Sequence, residues 1–243
     1  MNFQIQMLGT GSAFAKKYFN NNALFFKNEK IAMLDCGITA PWALHQLGYT
    51  FNDIDALFIS HIHADHIGGV EEFAFQRKFV YNRLPALFIP EPLIEPLWEH
   101  SLKGGLWQED TPALEDYFRI TPLYERQEIE IVPGLTVEAI RTKHINGKAS
   151  FSYLINKHFF YSADIRFTPE LLQSLCDRGC QTIFHDCQLT SPAAVHTSLD
   201  ELLTLPTEIQ QRIWLMHYGD AMPEFEGRTG PMRFVKQHIK YDF

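Results

Sequence analysis

His61-Ile62-His63-Ala64-Asp65-His66 places four potential metal ligands within six residues. The preceding Ala56-Leu57-Phe58-Ile59 is a short apolar run of the kind a fully buried central strand shows, so the cluster emerges at a strand's C-terminal end. In an extended segment, residues i and i+2 face the same way, which lets His61 and His63 share one ion. A tight turn after Ala64 then swings Asp65 and His66 towards a second position close by. Imidazole and carboxylate together suit zinc, manganese or iron better than calcium or magnesium. The pattern differs from HExxH, whose two histidines share one helix face and one ion. Four ligands cannot close two sites, so others must come from downstream. His144, Asp164 and His217 each follow a strand-like segment and are the candidates. The alternative is a set of solvated loop histidines, and this density beside a carboxylate speaks against it.

The elements that must position these residues are legible as alternating patterns and short apolar runs. Strands are expected over 2–8 (with Phe3, Ile5 and Met7 inward), 23–27, 31–35, 56–59, 86–89, 129–132, 135–141, 151–155, 159–162, 182–185 and 212–216. Helices are expected from Pro41 to a stop at Gly48, over 70–81, 169–178 and 199–205, with a further turn at 207–211. Residues 91–128 break the rhythm as a helix-like insertion bracketed by prolines and carrying Trp98, Trp107, Tyr117, Phe118 and Tyr124. The chain closes on a Gly/Pro-rich stretch over 219–231 and an amphipathic tail. Strands first, then strands with helices in both halves, predict an α/β single domain over 1–243 with two sheets face to face and helices outside.

Composition narrows the function classes. The 243 residues are 46% hydrophobic with 20 Phe and 9 Tyr, enough for a substantial core and against disorder as the main state. No uninterrupted apolar run exceeds four residues, which predicts neither a membrane span nor a secretory leader. Four scattered cysteines are too few for a disulfide scaffold and point to a reducing, cytoplasmic setting. Cys176, Cys180 and Cys187 read as core thiols, since Cys176 and Cys180 are spaced as neighbours on one helix face. The net charge of −8 argues against a surface that grips nucleic-acid backbone. Gly9-Thr10-Gly11-Ser12-Ala13-Phe14 begins like a dinucleotide fingerprint but lacks its third glycine, and no helical pattern follows.

Taken together, Thr10-Gly11-Ser12, the His61–His66 cluster, His144, Asp164 and His217 resemble the metallo-β-lactamase fold superfamily over nearly the whole chain. The resemblance implies a four-layer αβ/βα sandwich with two divalent metal ions where the sheets meet, zinc being the expected ion and manganese the alternative. His61, His63 and His144 would hold one ion, Asp65, His66 and His217 the other, and Asp164 would bridge both. The bridging aspartate points to hydrolases of phosphodiesters, thioesters or lactones, and His63 stands where the oxygen-reducing branch usually has a glutamate.

His185-Asp186-Cys187 and Ala194-Val195-His196-Thr197-Ser198 are similar to two motifs of the RNase Z-like phosphodiesterase branch. By that resemblance His196 is the general acid for the leaving oxygen, Asp186 orients it and keeps it charged, and His185 supports the cluster. Asp65, His196 and Asp186 are thus the candidate catalytic residues. The bland alternative for His196 is a cap on the helix beginning near Ser198. The interval from His144 to Asp164 holds only two strands and a turn, so the long arm of tRNA-processing members is absent. This armless layout, with Phe184-His185-Asp186-Cys187 and Leu215-Met216-His217-Tyr218-Gly219, is similar to the anti-Pycsar phosphodiesterases. That family implies a homodimer hydrolysing 3′,5′-cyclic nucleotides to linear monophosphates, with a tRNA 3′-processing enzyme, another small-phosphodiester hydrolase, and a lactonase or thioesterase as alternatives. The 91–128 segment would be either a lid stacking on a base or ordinary packing, including a dimer contact.

Overall fold

The computed structural model describes residues 3–243, so Asn2, at the start of the first expected strand, lies outside the described residues. The first half supplies strands β1 (Gln4–Met7), β2 (Ala23–Lys27), β3 (Lys30–Leu34), β4 (Ala56–Phe58), β5 (Ala86–Pro90) and β6 (Arg119–Leu123). The second half supplies β7 (Glu128–Val132), β8 (Leu135–Thr142), β9 (Ser150–Ile155), β10 (Phe159–Tyr161), β11 (Thr182–Asp186), β12 (Ile213–Met216), β13 (Arg233–Phe234) and β14 (Lys240–Asp242). They form two seven-stranded sheets, ordered β14-β1-β2-β3-β4-β5-β6 and β13-β12-β11-β10-β9-β8-β7. Strands β3 to β6 run parallel, as do β10 to β13, so several strands in each sheet end at one common edge. Open sheets of this kind present their functional groups beyond the carboxyl ends of parallel strands.

The many phenylalanines resolve into the layer between the sheets. Phe3, Phe25 and Phe58 of the first sheet meet Tyr153, Phe159 and Phe184 of the second, with ring contacts such as Phe58–Tyr153 at 5.2 Å and Phe3–Phe159 at 5.4 Å. Each buried ring stabilises the sandwich by roughly 2–3 kcal/mol through lost apolar exposure. Helices α1 (Ala40–Gln46), α2 (Ala64–Ile67), α3 (Val70–Phe75), α4 (Glu91–Leu97) and α5 (Lys103–Leu106) belong to the first half. Helices α6 (Pro169–Asp177), α7 (Leu199–Leu202) and α8 (Thr207–Gln210) cover the outer face of the second sheet, packing Leu172, Leu175, Leu202 and Ile209 against Ile183, Ile213 and Leu215. Pro41 and Pro169 sit in the first turns of α1 and α6, and Gly48, at φ 79, follows α1 in the left-handed conformation that ends helices. No helix among the described residues is long and apolar enough to cross a membrane.

One expectation needs correction. The insertion is not helical throughout: residues 119–123 form β6, the outermost strand of the first sheet, paired parallel to β5. Pro122 hides this strand in the sequence, and an edge position is where a sheet tolerates a proline. The terminal tail, expected only to be amphipathic, ends in a strand, because 240–242 pair antiparallel with β1. Of the insertion's aromatics, Trp98, Tyr117 and Phe118 are buried in the core, while Trp107 and Tyr124 are exposed. Packing therefore accounts for three of these five rings.

Candidate metal centre

Ser60 and His61 follow β4, and α2 starts immediately after His63. That change from extended to helical backbone turns Asp65 and His66 away from His61 and His63. Gly37 makes the turn possible, since a Cβ there would lie 1.8 Å from the Asp65 carbonyl oxygen. Asn22 braces the same loop, donating to the Asp65 carbonyl (3.1 Å) and accepting from Gly37 N–H (2.8 Å). The other ligand candidates arrive from the second sheet, and left-handed backbone aims two of them: Ala163, at φ 49, precedes Asp164, and His217 itself has φ 58. Such conformations are costly for non-glycine residues and concentrate at functional sites. The sheets are tied together here by Tyr153 Oη, which donates to the Ile59 carbonyl at 2.5 Å.

All seven candidate ligands converge, in two groups. His61 Nε2 lies 3.0 Å from His63 Nδ1, which lies 3.3 Å from His144 Nε2, and Asp164 Oδ2 is 3.6 Å and 3.5 Å from His61 and His144. In the second group His66 Nε2 is 3.3 Å from Asp65 Oδ2 and 3.2 Å from Asp164 Oδ1. His217 Nε2 is 3.4 Å from each of the same two oxygens. Asp164 thus turns one oxygen to each group. Donors about 2.0–2.1 Å from one tetrahedral ion stand about 3.3 Å apart, which is the spacing found. His66 Nε2 and Asp164 Oδ1 are buried without a hydrogen-bond partner, a condition a cation between them would relieve. The residues present fit divalent metal ions.

The charges divide along the same line. Burial, reinforced by neighbouring imidazoles, holds His61 well below the ordinary histidine range and pushes His63 down to about 4. Burial opposes charge at His66 and His217 too, but Asp164 and the other nearby carboxylates outweigh it, raising His66 well above the ordinary range and His217 to about 10. Burial would raise the Asp65 carboxyl, yet His66 and His217 hold it far below the usual carboxylate range. Without metal, the second group therefore draws protons onto its histidines. A divalent cation answers the same electrostatic demand.

Beside the second group, His196 Nδ1–H donates to Asp186 Oδ2 at 2.8 Å, while Asp186 Oδ1 is 3.2 Å from His217 Nδ1. The His196 side chain is 22% exposed against 2% for His217, so the ring lies at the accessible margin of the cluster. Burial works against its charge, but the Asp186 carboxylate prevails and raises it above the ordinary histidine range. His196 is not the cap of α7. Ser198 is, accepting from Glu201 N–H at 3.3 Å and donating its own N–H to Glu201 Oε2 at 2.8 Å.

A family model described as Anti-Pycsar protein Apyc1 matches residues 3–241. A relative of that name from Paenibacillus harenae is 57% identical over 238 residues, covering 98% of this chain and 99% of its own. Another, from Bacillus phage vB_BsuM-Goe3, is 42% identical over 250 residues and covers 96% of each. The chain belongs to the Anti-Pycsar protein Apyc1 family. Among solved structures, the metallo-β-lactamase fold protein YhfI from Bacillus subtilis superposes with a TM-score of 0.78 at 16% identity, covering 100% of both chains. Human tRNase Z, short form, gives 0.69 at 14% identity over 98% of each. The fold of this Apyc1-family chain is the metallo-β-lactamase fold.

Sequence reasoning missed Asp35, which organises both ligand groups. Its Oδ2 accepts from His66 Nδ1–H at 2.7 Å and from Ser60 Oγ–H at 2.6 Å, and the Ser60 oxygen lies 3.0 Å from His61 Nδ1. The available signal was a carboxylate directly after the buried strand β3, but its meaning depends on β3 and β4 lying side by side in parallel. His185 stands apart from the cluster. Ile183 packs outward and Phe184 inward, so strand alternation sends His185 outward, where Nδ1–H donates to the Asp186 carbonyl. The cysteines are all free, and none belongs to a metal-ligand group among the described residues.

Proposed function

We propose that this Apyc1-family chain is a two-metal phosphodiesterase that opens 3′,5′-cyclic nucleotide monophosphates (cCMP, cUMP, cAMP and cGMP) to linear nucleoside monophosphates. It acts in the cytoplasm as a homodimer and counteracts cyclic-nucleotide antiviral signalling, with zinc at both metal positions and manganese as the alternative ion. The observation that carries this reading is the pairing of a shared carboxylate, Asp164, facing two ligand groups, with the His196–Asp186 pair alongside. His61, His63 and His144 would hold one ion and Asp65, His66 and His217 the other. Bound there, divalent ions supply an acidified water and countercharge for phosphate oxygens.

The chain's own groups then do the rest. Water adds to phosphorus and releases a proton to solvent, one ester P–O bond breaks, and the departing alkoxide takes a proton from His196 Nε2, which solvent then restores. Nδ1 is committed to Asp186, which leaves Nε2 as the donor, and the Asp186 charge raises the ring above the ordinary histidine range, favouring its acid form. Asp186 also touches His217, so the acid is held in fixed relation to the ligand set. Two divalent ions would bring the formal charge from −8 to −4 and concentrate positive charge in one cleft, which draws in a small anion without a basic surface. The decisive experiment incubates the metal-loaded protein with the four cyclic nucleotides and follows linear products. Turnover of at least one is expected, and no turnover of any with metal verified as bound would overturn the proposal. Light scattering tests the dimer.

A further inference from the structure

Opposite the metal centre, at the amino ends of β4, β5 and β6, a cavity of about 530 Å³ is lined by Asp55, Arg77, Asn82, Arg83, Leu84 and Arg119. The parallel register sets Ala56 beside Ala86 and Ala86 beside Arg119, so three strand starts converge on it. Three arginines face one cavity in a protein of net charge −8. None of the three forms a close ion pair: the arginine ion pairs among the described residues belong to Arg126 and Arg178. Asp55, the sole acid in the lining, is occupied on its other side. Its Oδ1 accepts from Lys30 Nζ at 2.8 Å and its Oδ2 from Ile31 N–H at 2.9 Å.

Arg77 is the built part of the site. It is 5% exposed, on a widened helical turn over Gln76–Val80 that closes through Tyr81 N–H to the Gln76 carbonyl. Its Nη1 donates to the carbonyls of Phe51 (3.2 Å) and Asn52 (3.1 Å), which fixes the guanidinium, while its Nε–H is buried with no partner. An arginine anchored on one edge and unsatisfied on another, beside two exposed arginines, is prepared to receive an anion. Burial and the charges of Arg83 and Arg119 weigh against the Arg77 cation, and the Asp55 charge offsets them only in part. An anion between the three would offset that strain. Guanidinium forks match the oxygens of a phosphate, the Asn82 amide adds donors, and Leu84 gives an apolar wall for an organic substituent.

We propose that this cavity is a second ligand site, distinct from the metal centre, that binds a phosphomonoester dianion through Arg77, Arg83 and Arg119. Free phosphate and the terminal phosphate of a linear nucleotide share that chemistry. The test is equilibrium dialysis of the metal-loaded full chain against radiolabelled inorganic phosphate, comparing wild type with R83Q/R119Q. These two side chains are exposed and carry no core packing, so the variant keeps its fold and metal content. Wild type is expected to bind one more equivalent of phosphate than R83Q/R119Q, or to bind that equivalent at least about tenfold more tightly. R77Q is expected to show the same loss, and its melting curve reports whether it is folded. Competition by 5′-CMP at this equivalent, stronger than by unlabelled phosphate, assigns the ester as the ligand; equal or weaker competition assigns free phosphate. Coincident isotherms for wild type and R83Q/R119Q would overturn the proposal.

Discussion

The two ligand groups share Asp164 but are backed by different chemistry. Behind His61 stands a hydroxyl, Ser60, and behind His144 a peptide carbonyl, that of Val195, at 2.8 Å. Behind His66 and His217 stand carboxylates, Asp35 at 2.7 Å and Asp186 at 3.2 Å. A carboxylate behind a ligating imidazole raises its basicity and fixes its orientation. The first group is therefore a set of imidazoles that burial keeps neutral, with His63 half-buried. The second is enclosed, and its carboxylates hold protons on His66 and His217 until a cation enters. On the proposed two-metal reading, the carboxylate-backed position would retain its ion and the other would exchange more readily. A chelator titration should accordingly remove metal in two steps, and His217→Ala should lower the affinity of the tighter one.

Removing what the groups share has the largest expected effect. Asp164→Ala should reduce bound metal at both positions and bring turnover to background, as metal analysis and a product assay would report. His196→Ala should leave the metal content intact and lower kcat for cyclic nucleotides by about 10²–10⁴. The same variant should cleave bis-p-nitrophenyl phosphate nearly as well as wild type, because that leaving group needs no proton. Equal losses on both substrates would show that His196 is structural.

Smaller effects distinguish the backing residues. Asp35→Asn should weaken metal binding or activity by roughly 10–100-fold, while Ser60→Ala, which touches the first group alone, should cost less. An equal loss in the two variants would erase the contrast between the groups. Asp186→Asn should show itself as a pH effect. The acid form of His196 exists below its pKa, and the Asp186 charge raises that pKa. Neutralising the charge lowers it, so the alkaline limb of the kcat profile should move to lower pH.

Much of this centre was legible because metal binding demands rare residue types at strand ends, and His61–His66 announces itself by density. His144, Asp164 and His217 were legible through the apolar segments before them. Asp35 was not, because a lone carboxylate after a strand acquires its role only from a neighbouring strand that ends at the same level. The arginine cavity was equally hidden, since Arg119 reaches the local pair Arg77 and Arg83 only through the parallel register of β5 and β6. Strands β6 and β14 escaped for another reason. Edge strands accept a proline or short polar runs, so they carry little of the alternation that reveals inner strands.

The central claim is that one carboxylate-bridged centre adds water to the phosphorus of a cyclic nucleotide. It is tested most directly by a single turnover of the metal-loaded enzyme in ¹⁸O-labelled water, with mass analysis of the product. Wild type should form a linear nucleoside monophosphate carrying one ¹⁸O on phosphorus, and Asp164→Ala should not. Intact cyclic nucleotide after incubation with enzyme that holds its metal, or a linear product without the label, would contradict it.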